Sequence, residues 1–79
     1  MSREYELFKL AKDMVYIEDK LQAGVSGLMR EELTAAAAEI RAKLLAKRYD
    51  VNTFLHYKEI YPTLSMTEYF AFVDKLKKM

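Results

Sequence analysis

The sequence predicts an all-α fold, a small helical bundle built from a long antiparallel hairpin with two short C-terminal helices across one end. Three observations carry this. Leu7, Leu10, Met14, Ile17 and Leu21 recur at alternating steps of three and four, and Leu28 resumes the phase; that is the apolar seam of a helix requiring a partner helix. The chain's only glycines, Gly24 and Gly27, fall together just after the seam. Ser65-Met66-Thr67-Glu68 has the spacing of a capping box ahead of a final apolar run, a local start signal for a helix.

The first helix is expected over 3–23. Ser2 suits its N-cap, and Glu4 and Glu6 place carboxylates in the first turn, where they complement the helix dipole. Phe8, Ala11 and Val15 widen the seam, and Tyr5 and Tyr16 extend it, a breadth suited to a helix that touches more than one neighbour. Gly24 suits the left-handed position that ends a helix, and Ser26 suits the cap of the next. So short a connection turns the chain back on itself.

The second helix is expected over 28–48, with Met29, Leu33, Ala36, Ala37, Ile40 and Leu44 on one side. The run Ala35 to Ala38 favours the helix and permits a close crossing, because no side chain there extends past Cβ. Glu39 and Lys43 are spaced for an i,i+4 ion pair. Helix propensity falls over residues 49–53. Asp50 or Asn52 suits the cap of a third helix over 53–60, with a kinked continuation of the second helix as the alternative. Pro62 is expected to close the third helix, since the residue before a proline avoids the helical region. The last helix is expected over 66–77, with Leu64 and Tyr69 as the hydrophobic staple of its cap and Phe70, Val73 and Leu76 as its inner edge.

One domain is expected from 79 residues, near the lower size limit for an unaided core. The absence of cysteine excludes disulfides and thiolate metal sites. His56 is the sole histidine, and no acidic spacing suggests a metal site, so neither metal nor cofactor is expected. A net charge of +1 lacks the strong basicity usual for proteins that live on nucleic acid. No apolar run reaches membrane-spanning length, and the polar start Met1-Ser2-Arg3-Glu4 is unlike a signal peptide, so a cytoplasmic location is expected.

Three classes of function remain. Catalysis has little to rest on: His56 and Glu59 are one turn apart and could form a base couple, yet no nucleophile or phosphate loop accompanies them. Nucleic-acid binding is the second reading. Basic residues cluster at Arg41, Lys43, Lys47 and Arg48 and again at Lys75, Lys77 and Lys78, and the last two helices loosely suggest a helix-turn-helix. Cations at helix C-termini also complement the dipole, and the turn from Met66 to Phe72 is too aromatic and acidic to read bases.

Protein–protein interaction leads. Six tyrosines and four phenylalanines are many for this length, and Phe54, Tyr57, Tyr61, Tyr69 and Phe72 are the residues singled out as interface anchors. Phe70 and Phe72 point about 200° apart on a helix, so one core cannot easily bury both. A wide first-helix stripe and a small core also favour a homodimer. The expectation is a small non-catalytic adaptor, regulator or inhibitor of the bacterial or phage type, and no motif carries a family name.

Overall fold

A computed structural model describes residues 2–79 as four α-helices: α1 (Arg3–Ala23), α2 (Leu28–Ala46), α3 (Val51–Ile60) and α4 (Met66–Lys77), with a short 3₁₀ turn at Tyr61–Thr63. The helical class and the four elements are as the sequence predicts. Helix α1 is the axis of the molecule and packs against α2, α3 and α4. Its 21 residues make a rod about 30 Å long.

The seam of α1 is buried from Leu7 through Ile17, and Phe8 and Ala11 beside it are wholly enclosed. Two faces of one helix are therefore covered. Leu10 and Ile17 look toward Ile40, Ala36 and Leu33 of α2, whereas Phe8 looks toward rings of α3, the 3₁₀ turn and α4. Ala37, Ile40 and Leu44 bury the second half of α2. Its first half stays open, with Leu28 69% and Met29 55% exposed. Phase alone placed Met29 inward; the described fold has nothing to cover it at the loop end.

Each helix boundary has a local cause. The Ser2 hydroxyl accepts from the Tyr5 amide and donates to the Leu76 carbonyl at 2.7 Å, joining the start of α1 to the end of α4. Gly24 ends α1 at φ +93°, a conformation that costs a Cβ-bearing residue free energy. Ser26 does not cap α2. Gly27 takes that position at φ 65°, ψ −140°, without a side-chain hydrogen bond, because its backbone reaches a region other residues avoid.

Helix α2 stops at Ala46, two residues before the predicted end, through a Schellman motif: the Tyr49 amide donates to Leu44 O and the Arg48 amide to Leu45 O. Arg48 stands at φ 53°, where glycine is usual. Burial of Tyr49 beside Leu44 accompanies the turn, with the Arg3 guanidinium 4.3 Å above the Tyr49 ring and bonded to the Lys47 carbonyl. This decides between a kinked continuation and a new helix in favour of the latter.

Asp50 then caps α3, accepting from the Thr53 amide and hydroxyl at 2.9 and 2.7 Å, so α3 starts at Val51 rather than at 53. Tyr61, before Pro62, keeps helical angles (φ −52°, ψ −48°), contrary to expectation. The chain tightens into the 3₁₀ turn instead of leaving the helix, held by Thr63 Oγ1 on Ile60 O and the Leu64 amide on Tyr61 O. Both bonds of the Ser65–Glu68 capping box form.

Candidate functional site

Phe8, 0% exposed, is the hub of the aromatic half. Its ring centroid lies 5.0 Å from Phe72, 5.6 Å from Tyr57, 6.0 Å from Tyr61 and 6.1 Å from Tyr69. Such separations are those of attractive ring pairs. Among the five predicted anchors, Phe54 and Tyr57 are buried, whereas Tyr61, Tyr69 and Phe72 are half-buried against the core. The structure thus brings four of the five around Phe8. It leaves Tyr61 and Tyr69 with one edge facing outward.

Phe70 is not part of the inner edge of α4. The core face is Tyr69, Phe72, Val73 and Leu76, an i, i+3, i+4, i+7 set centred roughly 110° away from Phe70. Phe70 is 62% exposed and Met66, one turn before it, 73%. Sequence phase had identified the conflict between Phe70 and Phe72 but took Phe70 inward. Packing on Phe8 selects Phe72.

Met66 borders a shallow depression formed with Lys12, Tyr61, Pro62, Leu64 and Tyr69. The Phe70 ring stands edge-on to Tyr69 at 5.4 Å. Lys12 donates to Tyr69 Oη at 3.2 Å, and that hydrogen bond raises the Lys12 pKa above its ordinary value. The ammonium is thus a fixed cation at the rim of an aromatic surface. Met66, Phe70, Tyr69, Tyr61 and Lys12 form one patch at the N-terminal end of α4.

The predicted basic residues do not form one patch. Arg41 and Lys43 are about 200° apart on α2. Lys47 pairs with Glu6 across to α1, which holds Glu6 below the usual carboxylate range and raises Lys47. Arg48 is committed to the left-handed turn. Ion pairs join Lys47 to Glu6, Lys58 to Glu18 and Lys78 to Asp74, and the expected Glu39–Lys43 pair is not among them. His56 is exposed on α3, in a shallow depression with Asn52, Thr53, Phe72, Lys75 and Met79.

Tyr57, by contrast, is fully used. Its hydroxyl donates to Glu4 Oε2 at 2.7 Å, and burial followed by this bond pushes its pKa up to about 12. Among the described residues no buried side-chain polar atom lacks a partner, and no three His, Asp or Glu side chains converge as a metal site would require. No helix among the described residues is long and apolar enough to cross a membrane. No protein-family model matches the chain, and no curated protein or solved structure matches it at a significant level.

Proposed function

We propose that the chain is a small non-catalytic binding protein, a regulator or inhibitor that docks onto another protein through the Met66–Phe70 patch. The observation that carries this is the solvent-exposed Phe70–Met66 pair beside the outward edges of Tyr61 and Tyr69. Fully covering a phenylalanine or methionine is worth roughly 1.5–3 kcal/mol, so the patch can supply the apolar centre of a docking surface. Aromatic residues and methionine are what interface centres favour, and the Lys12 ammonium stands at the polar rim. The core has no room for Phe70, since Tyr69, Phe72, Val73 and Leu76 already fill the inner face.

The test is photocrosslinking in cells from a reactive phenylalanine analogue at position 70, with the same analogue at His56 as an exposed control. A heterologous protein captured at 70 and not at 56, and lost on M66A in the same chain, supports the reading. Equal capture at both positions, or none at 70, removes it.

A further inference from the structure

A second surface lies on the opposite side of α1 from the aromatic cluster. The Glu6–Lys47 pair joins the start of α1 to the residue after the end of α2, and Ile17 lines one depression with Leu33 and Ala36 near the other end. The two helices therefore run antiparallel. Between them a continuous groove passes from Glu6, Lys9 and Lys47, through Leu10, Asp13 and Lys43, to Tyr16, Leu33, Ala36 and Glu39. Its floor is apolar, and Tyr16 stands 59% exposed at its edge.

Helices α3 and α4 do not cover this face. The radius of gyration, 13.3 Å, exceeds the roughly 11.6 Å expected of a compact domain of this length. Extents of 40 × 30 × 20 Å describe a slab with α2 at one margin rather than a closed bundle.

The charges along the groove have an order. Lys9 on α1 and Lys43 on α2 make a basic step. Four residues along each helix, about 6 Å in the same direction, Asp13 and Glu39 make an acidic step. Among the described residues none of these four has an opposite charge within 4 Å.

We propose that this groove is the face on which two copies of the chain associate. The two-fold axis lies between the copies and crosses the groove at right angles. It sets α1 against α1 and α2 against α2, each antiparallel. The basic step of each copy then lies over the acidic step of the other, pairing Lys9 with Asp13 and Lys43 with Glu39 of the second copy. An axis along the groove would lay like charges together, so the charge order selects the antiparallel arrangement and a self-complementary partner. By the same axis Tyr16 and Ala36 of each copy lie over the Glu6–Lys47 pair of the other, with Leu10 and Ile40 as the apolar floor at the centre. The hairpin face, roughly 30 by 20 Å in plan, approaches the ~800 Å² per partner of a standard interface.

This inference shares with the proposed function only the premise that the chain works by binding; the surfaces are separate. Sedimentation equilibrium from micromolar to millimolar chain tests it, with circular dichroism to verify that each variant remains helical. The wild type is expected at twice its 9.3 kDa mass.

K43E and E39K each turn two attractive pairs into repulsive ones. Either change should raise the dissociation constant about tenfold at low salt, and less at high salt. Mixing the two variants restores both pairs and should restore the dimer. A wild type that stays monomeric at millimolar concentration, variants that dimerise as the wild type does, or a mixture that fails to recover overturns the proposal. M66A/F70A should sediment as the wild type, which separates this interface from the patch on α4.

Discussion

Replacing Phe8 with alanine tests the organisation of the whole fold. The ring is wholly enclosed and lies within 5.0–6.1 Å of four other rings, carried by three separate segments. Truncating a buried phenylalanine costs about 3–5 kcal/mol through lost transfer energy and the cavity left behind. Loss of several ring pairs, each worth about 0.5–1.5 kcal/mol, places F8A toward the upper end of that range.

A chain of this length has a total stability of roughly 4–12 kcal/mol. F8A is therefore expected to lose a third or more of it and to lower the thermal midpoint by at least about 12 °C. F8L keeps an apolar side chain of similar reach but no ring, and should cost much less, about 1–2 kcal/mol. F70A, on an exposed position of the neighbouring helix, should stay within about 0.5 kcal/mol of the wild type.

Urea unfolding followed by far-ultraviolet circular dichroism measures all three at one pH, with the slope verifying that the transition remains cooperative. A midpoint for F8A no lower than that of F70A would refute the placement of Phe8 at the centre of the core. A loss for F70A matching that for F8A would refute the assignment of Phe70 to the outer face.

Three further expectations concern the boundaries and the titrating groups. Gly24 and Gly27 have open space where a Cβ would lie, so alanine there is penalised only by backbone conformation. G24A should cost about 1 kcal/mol and G27A about 1–3 kcal/mol, both read from urea midpoints. Tyr57 should remain a neutral phenol through the ordinary tyrosine range near 10, titrating near pH 12 by absorbance at 295 nm. Its native pKa is raised, so its contribution is complete below the ordinary tyrosine value near 10 and is lost as pH rises through about 12; Y57F should abolish the late step.

At the acid end Glu6, Asp50 and Glu68 are held below their ordinary values by Lys47, by Thr53 and by the Ser65 amide. A depressed carboxylate stabilises the fold above its unfolded pKa, near 4, and that stability is lost as pH falls through the lower native value. The thermal midpoint should fall below about pH 4, and E6Q/D50N/E68Q should show a shallower fall.

The sequence by itself determined whatever depends on neighbours within a turn or two of the chain. Helix α1 over 3–23, the left-handed Gly24, Asp50 as one of two candidate caps for α3 and the Ser65–Glu68 capping box were all legible, because each is a hydrogen bond or backbone preference spanning at most a few residues. Tertiary structure decided what depends on which neighbour arrives. Phe72 and Phe70 have the same chemistry, and only the position of Phe8 on α1 sends the first inward and leaves the second in solvent. Arg48 adopts a glycine's conformation with no local signal for it, accompanied by the burial of Tyr49 and the stacking of Arg3 from 45 residues earlier in the chain. Helix α2 carries a full apolar face, yet Leu28 and Met29 stay open, since α1 can be lined by only so many helices and α3 and α4 occupy its other side. A periodic pattern says that a face is apolar; the packing of the other elements decides what, if anything, covers it.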